Sequence, residues 1–129
     1  PAVPVPARRL SDRGIARMRA FARDARLSGL RAVWSSREAK AIEAAGLLAA
    51  GFGLPAGVDE GLGENNSSAT GFLPPTGFER VADAFFADPH GSVRGWERVV
   101  DAQERVARTV SRILDAHAAS GGGDIAFVA

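Results

Sequence analysis

The stretch Leu30–Glu38 constrains the fold more than any other part of the chain. Leu30–Ser35 reads as a short strand, with Ala32, Val33 and Trp34 at its centre. Ser35-Ser36-Arg37-Glu38 follows without a break. A serine with a glutamate three positions later is a capping box, so a helix is expected to open there. It would run through Ile42, Ala45, Leu48 and Ala49 and close at Gly51 and Gly53. A strand that passes straight into a helix calls for layers in which helices cover a sheet.

The rest of the chain repeats this alternation. Pro1, Pro4 and Pro6 make the first residues a loop or tail. Ser11 is the expected N-cap of a first helix, with Asp12 in its first turn and Ile15, Met18, Phe21, Ala22 and Ala25 on its apolar face, ending at Gly29. Leu54–Leu62 is expected as an extended edge strand, and Gly63–Gly71 as a polar surface loop. Thr76 and Glu79 form a second capping box, opening a helix with Phe78, Val81, Ala82, Phe85 and Phe86. The longest helix is expected over Arg94–Ala119, with Trp96 in its core stripe. Ile125–Ala129 is a continuous apolar run, as expected of a strand buried on both faces. The expected fold class is α/β: a three-layer αβα arrangement with a mostly parallel sheet, in one domain over residues 1–129. Two good strands and one doubtful strand are few for four helices, so the sheet reads as incomplete at both ends.

Composition narrows the function classes. The 129 residues carry 16 basic and 15 acidic side chains, a formal charge of +1. The arginines alternate with acids along helices, a solvated-surface pattern, so no nucleic-acid partner is expected. No apolar run approaches bilayer-spanning length, so no membrane partner is expected, and the cytoplasm is the default location. The absence of cysteine removes disulfides, thiolate nucleophiles and cysteine-based metal sites. With two distant histidines, His90 and His117, no metal site and no cofactor are expected. Lys40 is the only lysine; the other 15 basic residues are arginines.

Several ordered landmarks resemble the histidine phosphatase (phosphoglycerate-mutase-like) superfamily. Leu10-Ser11-x-x-Gly14 resembles the segment that starts the family's first helix. Val33-Trp34-Ser35-Ser36-x-x-x-Lys40-Ala41 resembles its Ser-Ser-x-x-x-Arg-Ala element. Leu62-x-Glu64 resembles the Leu-x-Glu that carries the acid/base glutamate. Ile125–Ala129 resembles the strand leading to the second catalytic histidine. The family's Arg-His-Gly would precede Pro1 and its His-Gly would follow Ala129, so the sequence reads as truncated at both ends. Lys40 stands where an arginine is usual, and Ala44 where a threonine is usual.

The resemblance implies a phosphomonoesterase that works through a phosphohistidine in the complete protein. Glu64 would be the catalytic acid, its pKa raised by burial or nearby negative charge. Ser36, Arg37 and Lys40 would bind the phosphoryl group at the helix opening, where N–H groups and the dipole favour an anion. Lys40 and Glu64 would then face one cleft at the carboxyl end of the Trp34 strand. The structural alternative for Lys40 is a surface pair with Glu43. Neither His90, in an Asp-Pro-His-Gly turn, nor His117, at a helix end, has the flanking sequence of a catalytic histidine. The implied partner is a phosphorylated small molecule or a phosphoprotein. Unpaired sheet edges would also drive a homodimer or aggregation. The competing functional readings are a catalytically inactive relative that binds or regulates, and an unrelated α/β interaction domain.

Overall fold

The computed structural model describes residues 3–64, 75–92 and 95–129. Their contacts separate into two compact units. One comprises Pro1–Gly63 with Thr109–Ala129, and the other Glu64–Arg108.

The first unit is the α/β layer expected from the sequence. A three-stranded parallel sheet has the order β2-β1-β3, with β1 at Leu30–Ser35, β2 at Ala56–Val58 and β3 at Asp124–Val128. Helix α1 (Asp12–Phe21) precedes β1, and α2 (Ala39–Gly51) connects β1 to β2. The Ser11 hydroxyl accepts a hydrogen bond from the Gly14 N–H at 3.1 Å, so the first N-cap forms as read. That helix ends at Phe21, well before Gly29. Asp24 turns the chain there: its carboxylate accepts from the Arg26 N–H and guanidinium and caps a 3₁₀ turn at Ala25–Leu27.

The core of this unit joins Ala22, Leu30, Val33, Ala45, Leu48 and Ala49. Burying a side chain such as Val33 or Leu48 contributes about 1.5–3 kcal/mol. Small residues bring the layers close. A Cβ on Gly51 would meet that of Ala22 at 2.9 Å, and one on Gly57 would meet the Trp34 ring at 2.7 Å. Trp34 and Gly57 are register partners, so the indole lies against a strand that carries no side chain at that point.

The Ser35–Glu38 capping box does not form. Ser35 stays in β1, where its carbonyl accepts from the Asp59 N–H at 2.9 Å, while the Ser36 N–H donates to the Val128 carbonyl at 2.9 Å. These sheet bonds use the serine backbones, and α2 starts only at Ala39 with Glu38 as N-cap. The expected edge strand over Leu54–Leu62 shrinks to Ala56–Val58, because Asp59 accepts from the Gly61 N–H and starts a 3₁₀ turn at Glu60–Leu62. Strand β3 is only partly buried, contrary to its apolar sequence; the central, most buried strand is β1.

The second unit contains helix α3 (Pro75–Ala87) and the start of α4 (Val99–Ala119). Thr76 lies inside α3, which rules out its capping box. Helix α4 begins at Val99, so Trp96 lies before it. The indole is still core: it packs on Phe85 with centroids 5.6 Å apart and on Phe78 at 5.8 Å, beside Val81, Ala82 and Val99. The polar loop expected at Gly63–Gly71 lies mostly outside the described residues. Among the described residues, no helix is long and apolar enough to cross a membrane.

Candidate active site

The carboxyl ends of parallel strands are where an open α/β sheet places its ligands. Here that edge holds Ser35 at the end of β1, Ser36 just after it, and Asp59 and Glu60 after β2. Ser35 is fully buried, and its hydroxyl donates to the Ser36 carbonyl at 2.9 Å. Ser36 is buried as well, but its Oγ has no hydrogen-bond partner among the described residues. Leaving a buried hydroxyl unsatisfied costs about 1–3 kcal/mol. The orphan atom sits at the β1–α2 junction, three residues before a helix whose N-cap side chain makes no capping bond. The side chain of the N-cap residue Glu38 thus leaves the first-turn N–H groups of α2 without a cap, at the end where a helix favours anions.

The three other candidate residues are more exposed. Arg37 pairs with Glu60, Nη1 to Oε2 at 3.0 Å, on open surface. Lys40 is the second residue of α2, and its Nζ lies 3.5 Å from Glu38 Oε2. The surface pair with Glu43 does not form; Glu43 accepts from the Arg9 guanidinium at 2.9 Å and from the Leu10 N–H. Glu64 is exposed, so the burial expected of a catalytic acid is not present. Its backbone carbonyl accepts from Arg105 Nη2 at 2.9 Å. Ser36, Arg37 and Lys40 share the first unit, and Glu64 opens the second.

Neither histidine belongs to the β1–α2 junction. His90 lies in an exposed turn of the second unit. His117 Nε2 is 3.2 Å from the Gly123 carbonyl, just before β3 begins. That is the amino end of the sheet, opposite Ser36.

Sequence reading missed a cluster beside this edge. Asp59 accepts from the Gly61 N–H and from the Arg112 guanidinium, and these bonds hold its carboxyl below the usual carboxylate range. A depressed folded-state pKa stabilises the fold above the ordinary carboxylate value and loses that contribution as pH falls through the folded one. Within the second unit, Glu97 holds Arg105 through two bonds, at 3.0 and 2.8 Å, and raises its pKa. Asp59-Glu60-Gly61 carried a local signal as an Asx turn. The arginine partners, 53 and 41 residues away, carried none.

The model of the histidine phosphatase superfamily (branch 1) matches residues 6–129. The chain belongs to that superfamily. Solved structures share the histidine phosphatase fold. The mycobacterial glucosyl-3-phosphoglycerate phosphatase with inorganic phosphate has a TM-score of 0.79 and 23% identity, covering 99% of this chain and 66% of that one. For Bacillus stearothermophilus YhfR the TM-score is 0.76 and the identity 22%, with 99% and 65% covered. For a mycobacterial hydrolase they are 0.78 and 22%, with 99% and 61% covered. The chain thus spans less than two thirds of the length of these structures. No curated protein matches it.

Proposed function

We propose that the whole protein containing this histidine phosphatase chain is a phosphomonoesterase, with the phosphoryl group held at the β1–α2 junction. The observation that carries the reading is the buried, unpartnered Ser36 hydroxyl at an anion-favouring helix start. A phosphoryl oxygen is the acceptor that this hydroxyl lacks. Lys40 and Arg37 supply nearby positive charge, Lys40 as a point charge and not as a two-pronged donor.

In the first step the imidazole of a histidine attacks phosphorus. The P–N bond forms as the P–O bond to the leaving group breaks, and Glu64 gives its proton to that oxygen. Water then attacks phosphorus, the P–N bond breaks, and the Glu64 carboxylate takes the proton. The histidine is neither His90 nor His117. Phosphate release from a generic aryl phosphate by the protein of the full reading frame tests this. Glu64→Gln should lower kcat by about 10²–10⁴-fold; an unchanged rate removes Glu64 from the mechanism.

A second reading is an inactive relative that binds phosphoryl groups. It is favoured by the Lys40–Glu38 contact, which offsets the charge of the cation. Binding of a phosphate monoester without its hydrolysis would select it. The partner class in either case is a phosphorylated small molecule or a phosphoprotein, met in the cytoplasm. Self-association belongs to the same proposal. Strand β3 pairs with β1 on one edge, its other edge pairs with no strand among the described residues, and Phe127 is 36% exposed. Sedimentation of the isolated chain should show dimers or larger species; a monodisperse monomer with one cooperative melt would contradict this.

A further inference from the structure

Three residues of α4 recur at spacings of four and three: Arg105, Thr109 and Arg112. At that spacing they share one helix face. Each touches the segment Asp59–Glu64. The Arg112 guanidinium donates to Asp59 Oδ2. Thr109 abuts Gly61 so closely that a Cβ there would lie 2.1 Å from its Oγ1. Arg105 Nη2 donates to the Glu64 carbonyl at 2.9 Å.

We infer that this face of α4 is a positioning rail for Glu64, and that Asp59, Arg112 and Arg105 set the backbone from which the acid carboxylate projects. The inference rests on the role proposed above for Glu64. The segment is also braced internally. Asp59 Oδ1 accepts from the Gly61 N–H at 2.9 Å, the Leu62 N–H donates to the Asp59 carbonyl at 3.1 Å, and the Gly63 N–H donates to the Glu60 carbonyl at 3.2 Å. Asp59 therefore joins the turn to the helix: one oxygen closes the turn and the other meets Arg112. At the far end, Glu97 occupies Nε and shares Nη2 of Arg105, which orients the guanidinium toward the Glu64 carbonyl. Glycine at 61 is what lets the turn approach this close. A general acid an ångström out of place loses much of its rate, up to about 10²-fold. A carboxylate on an exposed segment is otherwise free to swing.

The test uses the protein of the full reading frame with Arg112→Met, Arg112→Lys and Asp59→Asn. Amide hydrogen exchange is read at Gly61, Leu62 and Gly63, with β1 and α2 as internal controls. For Arg112→Met and Asp59→Asn, exchange at those three amides should rise about tenfold or more while the controls keep their protection. The kcat for an aryl phosphate should fall about tenfold with KM within about twofold, because the acid acts in the transition state and not in binding. Arg112→Lys should recover part of both. Unchanged exchange in the turn, equal loosening of the controls, or a full kcat in a loosened turn would overturn the inference. If the unsubstituted protein releases no phosphate, the proposed function fails; selective loosening then still supports the grip on the segment, and unchanged exchange refutes it.

Discussion

The two ends of the same parallel sheet are built by opposite rules. At the amino end the backbone of the α4–β3 turn serves closure. Helix α4 stops in a Schellman arrangement: the Gly122 N–H donates to the His117 carbonyl at 3.0 Å and the Gly121 N–H to the Ala118 carbonyl at 3.4 Å. Gly121, Gly122 and Gly123 all have positive φ, and the Asp124 N–H then donates to the Gly29 carbonyl at 3.1 Å. At the carboxyl end the Ser36 N–H and the Ser35 carbonyl are bonded within the sheet, yet the buried Ser36 hydroxyl is left without a partner among the described residues. A fold that satisfies its groups so fully at one edge leaves one open at the other where a ligand can complete it. The difference separates the end that closes the fold from the end where the proposed site lies.

The comparison is easiest to break at the amino end. Gly123 has φ +95°, and a Cβ there would meet Arg31 Cγ at 2.5 Å. Gly123→Ala should destabilise the chain by about 1–3 kcal/mol, seen as a lower midpoint in urea. A wild-type midpoint would mean that this turn does not hold the sheet. The carboxyl end should respond in the opposite sense. Ser36→Ala removes an unsatisfied hydroxyl, so stability should stay level or rise by up to about 1 kcal/mol, while affinity for a phosphate analogue such as vanadate falls. Clear destabilisation by Ser36→Ala would show that the hydroxyl belongs to the fold and not to a ligand. The smallest effect is expected at the exposed Arg37–Glu60 pair, where Arg37→Ala should change stability by less than about 0.5 kcal/mol. A larger loss on the same urea curve would make that pair structural and blur the contrast.

What the sequence made legible divides along a similar line. Interactions that close within a few residues were readable: Ser11 capping α1, the strand around Trp34, the end of α4 at Ala119. The Ser35 capping box failed because the sheet claimed both serine backbones, and the Thr76 box failed because Thr76 is already helical. Strand β3 was over-read from its apolar run, since burial depends on neighbours that composition does not name. Trp96 was read correctly as core and wrongly as helix. At the site, the family motifs pointed to Ser36, Arg37, Lys40 and Glu64. No local pattern pairs Asp59 with Arg112 or Arg105 with Glu64, because only the folded path of α4 brings those residues together.

The packing of Trp34 against Gly57 has an experimental use. The chain has two tryptophans, and each compact unit holds one: Trp34 lies on the sheet and Trp96 among the phenylalanines. Intrinsic fluorescence from single-tryptophan versions can therefore follow the two halves of the molecule separately, with no added label.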